Sequence, residues 1–135
     1  RGVGLWKRLA LGEAGVHPDP DRSPAWNRGA YLTNAPGHRG ECHTPRNALM
    51  ISDPRRAFAG GPHPRGDKGA VPSLLDLVGR ERYSDVSDLT LALQYGETLG
   101  YERLSSGGMA DVQMNLAMLP EEDLQAVAKY LLSLE

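Results

Sequence analysis

The chain has 135 residues, a length that fits one domain. Its 16 Gly and 10 Pro make up about one residue in five, well above the roughly 12% that these two types contribute on average. With aromatic residues at only 6%, this composition predicts a thin core that a non-protein group helps to fill. The single Cys excludes an intramolecular disulfide framework and a Cys-rich zinc or iron–sulfur site. A formal net charge of −2 argues against a nucleic-acid partner, and no apolar run approaches the ~18 residues of a membrane span.

Residues 1–22 are predicted to form an N-terminal arm or an interdomain linker. The chain starts at Arg1 without an initiator Met and without the apolar core of a signal peptide, so we expect that an upstream segment was removed. Leu5, Trp6, Leu9 and Ala10 have the spacing of one apolar side of a short helix, and a loosely packed arm is the alternative. Pro18 and Pro20 end any helix in this segment, because each lacks an amide N–H and restricts the residue before it.

The first convincing helix is predicted from Ser23 to Leu32. Ser23 is a favourable N-cap, and Pro24 suits the first helical position. Gly29 lies in the middle of this helix, where Gly costs roughly 1 kcal/mol relative to Ala. We therefore expect that another backbone approaches Gly29 closely.

Two further helices complete the predicted set. One begins after Ser84 or Ser87 and ends at Gly96. The last begins near Pro120, where three acidic residues suit the helix dipole. Its apolar face consists of Leu124, Val127, Leu131 and Leu134. No alternating apolar pattern persists, so we expect no sheet. The sequence predicts an all-α domain of three to four short helices with long loops between them.

Cys42 and His43 are adjacent and carry the chemistry of the chain. A thiol next to an imidazole suits covalent haem attachment, in which the thiol adds to a vinyl group and the imidazole ligates the iron. The usual signature has a second Cys three residues earlier, where this chain has Arg39. This pair alone leaves two alternatives open, a structural free Cys next to a surface His and a nucleophilic thiol with an adjacent base.

Seven runs in a consistent order along residues 23–134 extend the pattern around this pair. They are Asn27-Arg28-Gly29-Ala30-Tyr31-Leu32, Gly37-His38-Arg39-Gly40-Glu41-Cys42-His43-Thr44-Pro45-Arg46-Asn47, Ala59-Gly60-Gly61-Pro62, Val71-Pro72-Ser73-Leu74, Gly108-Met109-Ala110-Asp111-Val112, Leu119-Pro120-Glu121-Glu122-Asp123-Leu124 and Ala128-Lys129-Tyr130-Leu131. Together they resemble class I c-type cytochromes, in particular the bacterial mono- and dihaem cytochrome c subunits of periplasmic dehydrogenases and respiratory complexes. Those proteins carry Cys-x-x-Cys-His-Thr-Pro-Arg-Asn where this chain has Arg39 in place of the first Cys.

The resemblance implies a cytochrome c-like fold over residues 23–135, wrapped around one haem. In that fold His43 is the proximal iron ligand and Cys42 forms the thioether. Met109, in a loop before the last helix, is the distal ligand. The carbonyl of Pro72 accepts a hydrogen bond from His43 Nδ1, which orients the imidazole and fixes its tautomer. Gly29 lies where the N-terminal and C-terminal helices cross, with Tyr130 or Leu131 packed over it.

The same resemblance implies a function in one-electron transfer by haem c rather than in catalysis. The expected partner is a redox protein or a membrane respiratory or photosynthetic complex, and a second cytochrome domain is a further candidate. Nucleic acid is not an expected partner. Covalent haem attachment in this family implies the periplasm or the periplasmic face of the inner membrane. In dihaem relatives a segment like residues 1–22 joins two cytochrome domains.

Arg39 is the main departure from the family pattern, and three outcomes compete. Haem is attached through Cys42 alone, or it is bound by His43 and Met109 without a covalent bond. In the third outcome the domain is degenerate, binds no haem and serves as a structural subunit. The Arg39 guanidinium needs solvent or a carboxylate partner, and Glu41 is the nearest candidate in sequence.

Two other methionines lie near Met109 in the sequence. Met114 and Met118 have the same ligand chemistry, and we expect them to pack in the core instead.

Overall fold

The computed structural model describes residues 2–10, 15–63, 70–98, 102–103 and 108–135 and confirms the all-α class. The elements in chain order are α1 (Gly2–Ala10), α2 (Pro24–Asn34), α3 (Arg39–His43), a 3-10 helix (Pro54–Arg56), β1 (Gly61–Pro62), β2 (Ala70–Val71), α4 (Val86–Tyr95), β3 (Glu97–Thr98), β4 (Glu102–Arg103), α5 (Gly108–Leu116) and α6 (Glu121–Leu131). These ranges contain six α-helices where three to four were expected. The five residues of α3 are too few to show a helical apolar period.

The expectation of no sheet needs a small correction. β1 pairs antiparallel with β2, with Gly61 opposite Val71, and β3 pairs in the same way with β4. Each of these strands has two residues. Such short ladders bury no apolar face, so they join loop segments and leave the core to the helices.

The crossing of α2 and α6 forms the centre of the fold. A Cβ on Gly29 would overlap the carbonyl oxygen of Ala126 and would lie 2.6 Å from its carbonyl carbon and 2.9 Å from Cβ of Tyr130. The expected close approach of another backbone at Gly29 is therefore confirmed. Of the two residues expected to pack over Gly29, Tyr130 and Leu131, the structure places Tyr130 there.

Side chains on both sides of Gly29 hold this crossing together. The rings of Trp26 and Tyr130 meet edge to face with 5.1 Å between centroids. The Trp26 indole N–H donates to Ser133 Oγ at 2.7 Å, and Arg28 makes two hydrogen bonds of 2.8 Å to the Asp123 carboxylate. Ser23 caps α2 as predicted, because its Oγ accepts a hydrogen bond from the Trp26 amide at 3.2 Å.

α4 packs against α6 and completes the hydrophobic core. It begins at Val86, within the predicted limits, and the carboxylate of Asp85 caps it by accepting from the Asp88 amide at 2.9 Å. Gly96 ends the helix in the left-handed conformation at a φ of 79°. The largest fully buried side chains are Leu77, Leu124, Leu131, Val127 and Thr33.

The segment before residue 23 is partly helical, with α1 as its regular element. The Trp6 indole donates to the carbonyl of Leu49 at 2.8 Å, which joins α1 to the loop after α3. Asp19 and Asn27 exchange two hydrogen bonds of 2.7 and 2.8 Å, so the end of this segment is fixed to α2. None of the helices in the described part of the chain is long and apolar enough to cross a membrane.

Candidate functional site

Helix α3 buries one of its faces and exposes the other. Arg39 and His43 are four residues apart, which places them on the same side of the helix. Only 4% of Arg39 and 5% of His43 is exposed. Glu41 and Cys42 are exposed, and Cys42 is a free thiol. A single helical turn therefore buries the imidazole and leaves the thiol at the surface.

The buried imidazole of His43 is held by the backbone of a distant loop. His43 Nδ1 lies 2.9 Å from the carbonyl oxygen of Pro72. A carbonyl oxygen only accepts hydrogen bonds, so Nδ1 carries the proton and the lone pair of Nε2 is left for another partner. Burial lowers the pKa of His43, the hydrogen bond to Pro72 opposes this effect, and the positive charge of Arg39 lowers it further. The imidazole is therefore neutral at pH 7, the state in which it binds a metal.

The backbone around Gly60 fixes the position of Pro72 relative to His43. The Gly60 amide donates to the carbonyl of His43 at 2.7 Å. A Cβ on Gly60 would lie 2.6 Å from the Ser73 nitrogen and 2.7 Å from the Pro72 carbonyl carbon, and Gly60 has a φ of 73°. No side chain fits there, so Gly60 allows the two loop segments to touch.

A second pair of hydrogen bonds connects the same loop segments. The Phe58 amide donates to Thr44 Oγ1 at 3.1 Å, and the Leu74 amide donates to the Phe58 carbonyl at 2.9 Å. The segment before Gly60 is thus tied both to the residue after His43 and to the segment that carries Pro72. Sequence reasoning did not assign these positions a role, although the Gly60-Gly61 pair in a loop is a signal of close backbone contact.

Arg39 has a different environment from the one expected. Its Nη2 is buried, and no hydrogen-bond partner for it exists among the described residues. Burial lowers the pKa of Arg39 to about 10. Glu41, the expected partner, instead binds Arg46, with 2.7 Å between Oε2 and Nη2. The physical reason is helical geometry, because residues two positions apart on a helix point in different directions.

Met109 lies on a helix and not in a loop, which corrects the prediction. It is half-buried in the first turn of α5. The expectation that Met114 and Met118 pack in the core is wrong, since they are 60% and 82% exposed. Leu116 of the same helix is buried two positions after Met114, so Met114 points away from the core.

The donor types of the two expected ligands, His43 and Met109, are those that bind a haem iron. A neutral imidazole with its Nδ1 proton bound to a carbonyl, and a thioether sulfur, are both common axial ligands. No hydrogen bond joins Cys42 to His43 in the described structure, and the thiol is exposed while the imidazole is buried. This arrangement does not resemble a nucleophile with its base. No cluster of three or more His, Cys, Asp or Glu side chains that could hold a metal ion occurs within the described ranges.

Comparison with known proteins relates the chain to cytochrome c subunits, although no protein-family model matches it. It is 42% identical over 130 residues to a diheme cytochrome c-type protein of Cereibacter sphaeroides, a match that covers 96% of this chain and 42% of the relative. It is 34% identical over 137 residues to the fructose dehydrogenase cytochrome subunit of Gluconobacter japonicus, covering 97% of this chain and 26% of the relative. It is 35% identical over 140 residues to the cytochrome c subunit of the quinone alcohol dehydrogenase of Komagataeibacter europaeus. That match covers 98% of this chain and 29% of the relative.

The chain spans less than half the length of these curated relatives. The similarity extends over nearly the whole chain and agrees with the helical structure. The chain therefore has a cytochrome c-like fold of the all-α class.

Proposed function

We propose that this chain is an electron-transfer domain that holds one c-type haem between His43 and Met109. The observation that carries the proposal is the buried His43 imidazole, whose Nδ1 lies 2.9 Å from the Pro72 carbonyl oxygen. That hydrogen bond orients the ring and makes Nε2 a better donor to a metal. The haem would supply one-electron exchange between ferrous and ferric iron.

The two proposed ligands favour electron transfer over catalysis. His43 and Met109 would hold the iron with two protein donors, which would leave no open coordination position for a substrate. A Met ligand also raises the reduction potential relative to two His ligands. The exposed Cys42 thiol is the group on α3 that would form the single thioether.

The names of the relatives support a place in a larger redox system. Two of them are cytochrome subunits of dehydrogenases, and one is a diheme cytochrome. We propose that this domain accepts electrons from a partner dehydrogenase or a second cytochrome domain and passes them to a respiratory or photosynthetic complex. Attachment of haem through a thioether supports a location in the periplasm or on the periplasmic face of the inner membrane.

A haem-free structural subunit is the second candidate, and Arg39 favours it. This residue stands where the resemblance places a first thiol, and its buried Nη2 has no hydrogen-bond partner among the described residues. A domain that had lost its haem would not need the first thiol.

The pyridine haemochrome spectrum of the purified protein decides between the two candidates. We expect an α-band between the two-thioether position and the free-protohaem position, because one thioether forms. Cys42→Ser should move the band to the free-protohaem position, and Arg39→Cys should move it toward the two-thioether position. A wild-type protein without a haem band would refute the electron-transfer proposal and leave the structural one.

The distal ligand is tested by a matched pair of methionine substitutions. Met109→Ala should abolish the weak near-infrared band of Met-ligated ferric iron. Met114→Ala, on the exposed side of the same helix, should leave that band unchanged. A band that persists in Met109→Ala would show that another residue is the distal ligand.

A further inference from the structure

We infer that Arg39 supplies a buried positive charge next to the proximal imidazole and thereby raises the reduction potential of the haem. This inference rests on the proposed function, because it needs a haem held by His43. It gives Arg39 an electrostatic role, which differs from the haem-attachment role of the Cys that the family pattern has at this position.

The position of Arg39 follows from the geometry of α3. One helical turn separates it from His43, so the two side chains share a face of the helix. Both are almost completely buried. An iron held by His43 Nε2 would be a near neighbour of this buried charge, so the charge would act on the iron through an interior that screens it weakly.

The charge is not neutralised by any described carboxylate. Burial alone accounts for the lowered pKa of Arg39, with no contribution from an acidic group. Its Nη2 has no hydrogen-bond partner in the described part of the structure. Glu41, which is the closest carboxylate in sequence, is exposed and binds Arg46. Arg39 therefore remains a cation at neutral pH, and the interior around it screens that charge weakly.

The effect on the potential follows from charge balance. Reduction transfers one electron from an external donor to ferric iron, and no bond is formed or broken. The charge of the iron centre falls by one, so a nearby fixed cation favours the ferrous state over the ferric state. Neutralising Arg39 should therefore lower the reduction potential of the haem.

The experiment is a mediator-coupled redox titration of the haem-loaded protein at neutral pH. The neutral variants are Arg39→Met, which keeps the length of the side chain, and Arg39→Gln, which keeps a polar group. Arg39→Lys keeps the positive charge. Arg55→Met is the control, because it removes an exposed arginine from the surface. Absorption spectra of every variant verify that the axial ligands are unchanged.

Both neutral variants should lower the ferrous-to-ferric ratio at a given ambient potential by about tenfold. This is the size that Coulomb's law gives for a unit charge about 12 Å away at an effective dielectric constant of about 20. A tenfold change corresponds to about 59 mV for one electron. Arg39→Lys should retain most of the wild-type potential, and Arg55→Met should match the wild type because solvent and salt screen its charge.

Two results would overturn the inference, and they are distinguishable. Haem-loaded neutral variants with the wild-type potential, or a higher one, would refute the role of Arg39 and leave the proposed function intact. A wild-type protein that binds no haem would refute both.

Discussion

Gly29→Ala adds one methyl group at the crossing of α2 and α6. The new Cβ would lie 2.6 Å from the Ala126 carbonyl carbon, whereas ordinary contact begins at 3.4 Å. The obstacle is backbone, which has no rotamer to change, so the two helices must move apart by most of that difference. The movement would loosen the edge-to-face contact between Trp26 and Tyr130 and the hydrogen bond from Trp26 to Ser133.

The expected cost follows from two opposing contributions. Overpacking costs about 3 kcal/mol, the upper end of the usual range, because the obstacle is rigid. Ala has a higher helix propensity than Gly and returns about 1 kcal/mol. The net loss of about 2 kcal/mol corresponds to a fall in Tm of roughly 8 °C for a chain of this size.

Thermal unfolding followed by circular dichroism tests this prediction against Gly4→Ala. Gly4 also lies in a helix, and a Cβ on it would meet nothing within 4 Å. Gly4→Ala should therefore leave the Tm unchanged or raise it slightly through helix propensity. If Gly29→Ala melts at or above the temperature of Gly4→Ala, the close contact at the crossing does not limit stability and the reasoning is wrong.

Three further predictions concern the cap of α2, the loop contact at Gly60 and the ion pair between Arg28 and Asp123. Ser23→Ala removes the oxygen that caps α2 and should destabilise the protein by about 1 kcal/mol in thermal melts, whereas an unchanged Tm would exclude a role for the cap. Gly60→Ala should displace the Pro72 carbonyl through the overlap at Cβ and lower the fraction of haem retained on purification; full retention would show that the contact is not required. The hydrogen bond from Arg28 lowers the pKa of Asp123, so the unfolded state binds its proton at a higher pH than the folded state. The resulting stabilisation is present above the unfolded pKa of about 3.9 and is lost as the pH falls through the folded value. The Tm difference between wild type and Asp123→Asn should therefore shrink at acid pH, and a difference that is constant with pH would contradict this.

The long helices were predictable because their signals are local. The cap at Ser23, the glycine at Gly96 and the apolar period of α6 each need only neighbouring residues, and the structure confirms the three helices that they predict. The close contact at Gly29 was also predictable, since a glycine in a helix has a cost that packing must offset. Helix α3 was missed because one turn contains too few residues to show a period.

Part of the candidate site was also predictable from the sequence. The hydrogen bond between His43 and the Pro72 carbonyl was expected from the resemblance, and the structure contains it. The iron-ligand roles of His43 and Met109 and the thioether at Cys42 remain predictions. The contribution of Gly60 was not foreseen, because it depends on two loop segments that meet only in the folded chain.

The sequence by itself determined the helical class, the adjacent Cys42 and His43, and the absence of a first thiol. These properties depend on residue type, spacing and order along the chain. Only the tertiary structure decided that Arg39 is buried without a carboxylate among the described residues, since burial and pairing depend on which distant segments pack around a side chain. From the sequence, Arg39 was expected only to stand in place of a second attachment point. In the folded chain it is a positive charge held next to the proposed iron ligand.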